Sequence, residues 1–166
     1  WVWAINKHGV GDWTKPPYKP FRPSEKAKNN DPATWGTYEQ ALAAFRSGQA
    51  DGIGFCLQGT DIAAFDIDDC RDPETGSIDP FAMELVDRAA SYTEFTVSGM
   101  GLRIIGFGSE KFHRRQRVPG HEPVQVESYC DTNRYIVVSA NPLPGAWPHM
   151  CDISSEMRRL VADLDG

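Results

Sequence analysis

The segment Ile62–Asp68 constrains the fold more than any other part of the chain, because a run of apolar residues leads into two aspartates that are separated by one position. Its apolar residues at every second position are Ala63, Phe65 and Ile67. Side chains of a strand point to opposite faces of a sheet in turn. The segment is therefore predicted to be a strand with one face on a core, while Asp66 and Asp68 share the other face.

Helices and strands are predicted in mixed order along the rest of the chain. Helices are predicted over 37–47, where Thr37 and Gln40 form a capping box, from Asp79-Pro80 through Ala89, and over 154–164. Strands are predicted over 1–5, 51–57, 92–97, 102–107, 124–129 and 135–139, with loops over 6–34 and 108–123. A short turn is expected to join 51–57 to 62–68 as a hairpin. This order predicts an α+β fold with a largely antiparallel sheet.

Composition excludes some classes of protein and disfavours others. The 166 residues are 40% hydrophobic and 11% aromatic, which excludes a disordered tail. No apolar run approaches the ~20 residues of a membrane helix, so no membrane partner is expected. The net charge of −6 taken alone disfavours nucleic acid, whose binders are usually basic. Because the chain begins at Trp1 rather than Met, it is expected to be a piece of a longer protein.

The four cysteines form no CxxC pair and predict a reduced chain in the cytoplasm. The alternative is a zinc site that combines Cys70, His149, Cys151 and a distant histidine, although their spacing matches no established pattern.

Asp66 and Asp68 would stand ~7 Å apart on one strand face and repel each other. A divalent cation between them would remove that repulsion, and carboxylate oxygens suit Mg²⁺ or Mn²⁺. In the predicted strand 124–129, the valines face one way and Glu127 the other, which offers a third ligand. Three carboxylates on neighbouring strands would build a two-cation site for phosphoryl or nucleotidyl transfer. The alternative is an ordinary polar face on a half-exposed sheet.

Two further features point to phosphate. The turn Ser98-Gly99-Met100-Gly101 can direct backbone N–H groups into one concavity, and Arg103 follows where it can reach phosphate oxygens. The segment 111–117 holds four fixed cations, which would suit a nucleic-acid backbone: Lys111, Arg114, Arg115 and Arg117. The alternatives are a common hairpin turn and a solvated run of charge.

Taken together, these features resemble the primase–polymerase (prim-pol) domain of the archaeo-eukaryotic primase superfamily. That domain occurs in phage, prophage and plasmid replication proteins, often ahead of a helicase. The matching segments are Trp13-Thr14-Lys15-x-Pro17-Tyr18, Asp31-Pro32-x-Thr34-Trp35-Gly36-Thr37-Tyr38-Glu39-Gln40-Ala41, Asp51-Gly52-Ile53-Gly54-Phe55, Asp66-Ile67-Asp68-Asp69-Cys70, Ser91-Tyr92-Thr93-Glu94, Ser98-Gly99-x-Gly101-Leu102, Val126-Glu127-x-Tyr129 and Arg134-Tyr135. The segments follow one another in the order and spacing of that domain, and together they extend over most of the chain.

The resemblance implies a single catalytic domain over residues 1–166, with flanking helices and two lobes, one like an RNA-recognition motif, around a cleft. It implies that Asp66, Asp68 and Glu127 are metal ligands for Mg²⁺ or Mn²⁺, with two sites filled when nucleotide is bound. Ser98, Gly99 and Gly101 match the motif that holds the nucleotide triphosphate. The implied partners are nucleoside triphosphates, a single-stranded DNA template and a helicase domain in the same or a neighbouring chain.

The implied activity is template-directed nucleotidyl transfer, as in a DNA primase or polymerase. One departure concerns position 103, where the family's motif usually has histidine and this chain has arginine. Arginine keeps a permanent charge and cannot supply a neutral imidazole. Two alternatives therefore stay open: a degenerate, non-catalytic module that binds nucleic acid or a helicase, and a metal-dependent nuclease.

Overall fold

The computed structural model describes residues 2–3, 6–8 and 12–165, with side chains from Thr14 onwards. The strands are β1 (Val2–Trp3), β2 (Asn6–His8), β3 (Asp12–Thr14), β4 (Pro17–Lys19), β5 (Arg22–Lys26), β6 (Gly52–Cys56), β7 (Ile62–Asp68), β8 (Tyr92–Phe95), β9 (Leu102–Phe107), β10 (Phe112–Arg117), β11 (Gln125–Cys130) and β12 (Tyr135–Val138). The helices are α1 (Tyr38–Arg46), α2 (Pro80–Ala89) and α3 (Ser154–Asp165), and a 3₁₀ helix spans Pro32–Thr34. The chain divides into two compact units, one of residues up to Gln58 with Asn133–Val138 and the other of Gly59–Thr132 with the residues from Ser139.

The first unit contains an antiparallel sheet with strand order β12-β6-β1-β4-β5, and β2 and β3 pair separately. The predicted loop over 6–34 is therefore wrong, because β2 to β5 lie within it. Proline suits extended backbone when its missing N–H is not needed, and Pro17 begins β4 while Pro23 lies in the edge strand β5. The strand predicted over 1–5 is confirmed for Val2–Trp3, and its other residues lie outside those described.

Helix α1 confirms its predicted capping box. Thr37 accepts a hydrogen bond from the Gln40 N–H at 3.3 Å, and the Gln40 side chain accepts one from the Thr37 N–H at 3.0 Å. Its buried residues are the small Ala41 and Ala44, whereas 65% of Tyr38 is exposed. The periodic pattern of apolar residues thus located the helix correctly. Tyr38, which is part of that pattern, nevertheless lies outside the core.

The second unit is built on an antiparallel sheet with strand order β10-β11-β7-β9-β8. One face of the sheet packs against α2 and α3 and forms the main hydrophobic core of the chain. That core includes Phe65, Ile67, Leu102, Ile104 and Val126 from the sheet, Leu85 and Val86 from α2, and Met157 and Leu160 from α3. The α+β class and the mainly antiparallel pairing are confirmed. None of the helices in the described residues is long and apolar enough to cross a membrane.

Two predictions about connections are wrong. The strands β6 and β7 do not form a hairpin, because β6 pairs with β1 and β12 whereas β7 lies between β11 and β9. Each is an inner strand of its own sheet. The short turn between them predicted a hairpin because it gives no information about which sheet each strand joins. The predicted loop over 108–123 contains β10, which pairs in register with β11. Charged residues suit β10 because an edge strand is protected from further pairing by its charges.

Candidate functional site

A row of five charged residues crosses the second unit's sheet at one level. Antiparallel register places Arg115, Glu127, Asp66, Arg103 and Glu94 opposite one another on β10, β11, β7, β9 and β8 in turn. Directly opposed residues share a face. The row therefore lies on the face away from α2 and α3. It joins residues that are far apart in the sequence, including two of the three predicted metal ligands.

Asp66 and Arg103 form an ion pair at the centre of this row. The Arg103 Nη2 donates to Asp66 Oδ2 at 2.6 Å, and only 9% of the Arg103 side chain and 17% of the Asp66 side chain are exposed. The second carboxylate oxygen, Asp66 Oδ1, is buried and has no hydrogen-bond partner. Buried polar atoms are normally satisfied, so this oxygen is available to an additional ligand.

Asp68 lies two residues further along β7 on the same face and opposite Gln125. Burial, together with the nearby carboxylates of Asp66 and Asp69, raises the pKa of Asp68 to about 6, against the opposing influence of Arg103 and Arg115. Removal of a carboxylate from water disfavours its charged form, as does a like charge beside it. This part of the face therefore has an excess of negative charge that a cation would relieve.

Glu127 has an imidazole partner that the sequence did not indicate. His113 Nε2 lies 2.8 Å from Glu127 Oε1, and its ring stacks on Tyr129 with centroids 5.6 Å apart. The side chain of Glu127 is 13% exposed. The stack fixes the plane of the imidazole, which in turn orients the Glu127 carboxylate.

Glu94 closes the other end of the row and has no exposed surface. Its carboxylate accepts hydrogen bonds from the Ser139 N–H at 2.8 Å, the Ala140 N–H at 3.1 Å and the Tyr92 hydroxyl at 3.0 Å. Burial, with the Glu94 charge, raises the pKa of Tyr92 to about 12, so its hydroxyl stays a donor. These donors compensate a buried charge that would otherwise be costly.

The acids of this face suit a divalent cation by their chemistry. Asp66, Asp68 and Glu127 offer hard oxygen atoms, and Asp66 Oδ1 is a buried acceptor without a partner. Among the side chains described, no three of His, Cys, Asp or Glu are grouped so that they could hold a metal ion. The three predicted ligands therefore share a face without forming a closed ligand set, and the Arg103 guanidinium is the cation that Asp66 contacts.

The glycine turn lies between β8 and β9 as predicted. Its N–H groups bond within the turn: Gly99 to the Thr96 carbonyl, Met100 to the Ser98 hydroxyl and Gly101 to the Thr96 hydroxyl. Gly99 has a φ of 74°, and a Cβ on Gly101 would lie 2.5 Å from the Ile67 carbonyl oxygen. The glycines therefore serve the tight turn itself.

Arg71 adds a cation to this turn that the sequence did not indicate. Its Nη1 donates to the Gly99 carbonyl at 2.8 Å, and its guanidinium lies 5.1 Å from the centre of the Phe95 ring. Contact with phosphate at this turn would thus come from side chains such as Ser98, Arg71 and Arg103 more readily than from backbone N–H groups.

The basic segment is divided between the two faces of the sheet. Arg115 and Arg117 alternate with Arg114 along β10, and the register puts Arg115 on the acidic face. Arg114 lies on the opposite face, where its Nη2 bonds to Asp165 of α3 at 2.9 Å. Lys111 precedes the strand, is 82% exposed and stands 3.9 Å from Asp131. The four predicted DNA contacts therefore do not form one surface.

The segments that resemble prim-pol motifs follow one another in the expected order, and Glu127, Asp66 and Arg103 lie opposite one another across the sheet. Comparison with known proteins agrees with that pattern. The chain is similar to a phage DNA primase-polymerase. It is 29% identical over 133 residues to the DNA Primase-polymerase of Nitratiruptor phage NrS-1, which is 80% of this chain and 18% of that protein. No family model matches the chain. The likeness supports a prim-pol relationship, and the chain spans less than a fifth of the relative's length.

The missed residues of the site are His113, Glu94 and Arg71. His113 and Arg115 are two positions apart, so a strand prediction over 112–117 would have put them on one face. Glu94 was visible only as a lone acid in a strand. Nothing in the sequence indicated that Arg71 reaches the glycine turn, because that contact depends on the loop after β7.

Proposed function

We propose that this chain is a nucleotidyltransferase module that extends or starts DNA strands on a template, as a primase or polymerase does. The observation that supports this best is the gathering of Asp66, Asp68 and Glu127 on one sheet face, with Asp66 directly opposite Glu127. Acids from two strands that share a face are suited to the chemistry of phosphoryl groups. The finer classification, an archaeo-eukaryotic primase-like fold with a lobe like an RNA-recognition motif, is part of the same proposal.

In this proposal Asp66, Asp68 and Glu127 hold Mg²⁺ or Mn²⁺, with two ions when nucleotide is bound. The bound ions would supply Lewis-acid stabilisation for the attacking hydroxyl and the leaving pyrophosphate. The buried Asp66 Oδ1 supports this role because it lacks any other partner. His113 orients the Glu127 carboxylate through its 2.8 Å contact.

The triphosphate is proposed to lie at the turn of Ser98, Gly99 and Gly101. Arg103 supplies a permanent positive charge beside this turn, and its planar guanidinium can bind phosphate oxygens in a bidentate manner. Arg71, which contacts the Gly99 carbonyl, is a second cation for the same phosphates.

The DNA template is proposed to run along the acidic face beside β10. Arg115 and Arg117 are exposed there and would contact phosphates, while the metal ions would offset the net charge of −6. A helicase domain as partner, and replication of a phage, prophage or plasmid in the cytoplasm, belong to this proposal as functions of a larger protein.

Nucleotide incorporation tests the proposal directly. The chain is supplied with Mn²⁺ or Mg²⁺, a single-stranded DNA template and labelled nucleotides, with and without a primer. We expect incorporation that Asp66→Asn with Asp68→Asn abolishes and that Asp163→Asn, an acid on α3, leaves intact. Template cleavage without incorporation would instead indicate a nuclease.

A second candidate function is a degenerate module that binds nucleic acid without chemistry. The Asp66–Arg103 ion pair favours it, because a guanidinium at 2.6 Å occupies one oxygen of a proposed metal ligand. Retained binding of single-stranded DNA with neither incorporation nor cleavage, with either metal ion, would support this second function.

A further inference from the structure

Arg103 binds a carboxylate, Asp66, that is also a proposed metal ligand. Its guanidinium bonds to Asp66 Oδ2, and the pair is almost fully withdrawn from water. Register puts Arg103 between two acids, Asp66 on β7 and Glu94 on β8. The arginine is thus held by negative charge on both sides along the row.

A divalent cation bound to Asp66 would lie close to this guanidinium, and the two positive charges would repel strongly in a site with little water. Arginine cannot escape that repulsion by losing its proton. Its long side chain can escape only by turning to another anion. Glu94 is already satisfied by three donors, from Ser139, Ala140 and Tyr92, so it offers little additional capacity.

We infer that Arg103 is a built-in counter-cation of Asp66, which leaves that carboxylate when a triphosphate arrives and so couples metal binding to nucleotide binding. Without nucleotide, the guanidinium neutralises Asp66 and the metal ion binds weakly. With nucleotide, phosphate oxygens receive the guanidinium, and both oxygens of Asp66 become available to metal. Coupling of this kind is reciprocal, so metal strengthens nucleotide binding by the same factor. The inference rests on the proposed function.

This exchange also gives arginine a role at position 103 that a neutral imidazole would not fill. A neutral group beside Asp66 would leave the carboxylate open to metal at all times. The permanent charge of Arg103 neutralises Asp66 and keeps its affinity for metal low until nucleotide is present.

Binding of Mn²⁺ alone, followed by electron paramagnetic resonance of the free ion, tests the inference without any turnover. Arg103→Gln is expected to bind Mn²⁺ ~10-fold more tightly than the unmodified chain, because the competing charge is gone. Arg103→Lys keeps the charge and is expected to bind Mn²⁺ as weakly as the unmodified chain. Arg158→Gln removes the same charge from an exposed pair with Glu110 and is expected to change Mn²⁺ affinity less than about twofold.

The unmodified chain provides a second measurement that does not depend on how the variants fold. The Nε resonance of Arg103 in ¹⁵N-arginine-labelled protein is expected to shift when Mg²⁺ and a non-hydrolysable nucleoside triphosphate are added together. An unchanged resonance under saturating nucleotide would overturn the exchange.

The outcomes separate this inference from the proposed function. If Arg103→Gln binds Mn²⁺ no more tightly than the unmodified chain, and the unmodified chain still incorporates nucleotide, the inference fails and the function stands. If no form of the chain binds Mn²⁺ or incorporates nucleotide, both fail.

Discussion

Glu127 lies directly opposite Asp66 in the antiparallel pairing of β11 with β7. Opposed side chains in such a pair have Cβ atoms ~5 Å apart. Two carboxylates at this separation repel each other unless other groups bind them. Here each has its own partner, Arg103 for Asp66 and His113 for Glu127.

The Asp66–Arg103 pair is expected to contribute strongly to stability. Asp66→Ala removes the hydrogen-bonded carboxylate from a buried guanidinium and is expected to lower the free energy of unfolding by ~3 kcal/mol. Urea unfolding of both single variants (Asp66→Ala, Arg103→Met) and the double variant should give a coupling energy above ~1 kcal/mol. The exposed pair Arg158–Glu110 is the control, with an expected coupling below ~0.5 kcal/mol. Equal coupling in the two pairs would contradict this prediction.

Asp68 is expected to make the chain less stable as pH rises. Its pKa in the folded state is about 6, above the ordinary value of 3.8, so the folded state binds more protons between these values. The free energy of unfolding therefore falls with rising pH from about 4 to 6. Relative to Asp68→Asn, the unmodified chain is expected to lose ~1 kcal/mol across this window in metal-free buffer, allowing for solvent screening.

Asp72 provides a control of opposite sign for that experiment. Hydrogen bonds from the Glu74 N–H and from Thr75 hold the pKa of Asp72 below its ordinary value. The stability that Asp72 contributes is thus present at neutral pH and lost as pH falls. If the free energy of unfolding of Asp68→Asn and of Asp72→Asn changed with pH in the same way, the pKa of Asp68 would not be raised in the folded state.

His113 is expected to support catalysis through Glu127. His113→Phe keeps a ring to stack on Tyr129 but removes the nitrogen that contacts Glu127. Loss of a partner that orients a metal ligand costs ~10-fold in activity or metal affinity. We therefore expect a tenfold higher Mn²⁺ requirement for nucleotide incorporation. His121→Phe breaks a similar 2.8 Å contact, with Asp79, and should leave that requirement unchanged.

Gly101 is expected to tolerate no side chain. A Cβ there would lie 2.5 Å from the Ile67 carbonyl, a backbone atom that cannot move without disturbing β7. Gly101→Ala should lower the free energy of unfolding by ~3 kcal/mol, as overpacking does. A Cβ on Gly99 would make an ordinary contact with Arg71 Nη1 at 3.9 Å, so Gly99→Ala carries only the strain of a positive φ, with an expected cost of ~1 kcal/mol. Thermal unfolding of the two variants compares these costs, and equal losses would contradict the prediction.

Arg115 and Arg114 are expected to differ in DNA binding although they are neighbours. Arg115→Gln removes a cation from the acidic face. It should reduce, by ~1, the slope of the logarithm of single-stranded DNA affinity against the logarithm of salt concentration. Arg114→Gln should leave that affinity unchanged and instead loosen the end of α3, since Arg114 bonds to Asp165. Fluorescence anisotropy at several salt concentrations distinguishes the two, and equal slopes for both variants would refute the division between faces.

Local patterns in the sequence were sufficient for several elements of the chain. The apolar run of Ile62–Asp68, with Asp66 and Asp68 two positions apart at its end, predicted β7 with the bounds that the structure has. Capping signals at Thr37 and Asp79 located the starts of α1 and α2. These signals act between residues within one turn of helix or along one strand, so the sequence carries them completely.

The tertiary structure alone decided which strands became neighbours and which partners the acids received. The sequence placed Asp66 and Asp68 on one face, but only the register of β11 and β9 put Glu127 and Arg103 beside Asp66. Pairing between distant strands depends on the burial of whole faces, and a one-residue shift in register would reverse every side chain. For the same reason the basic residues of β10 were predictable as cations, whereas their division between two faces required the fold.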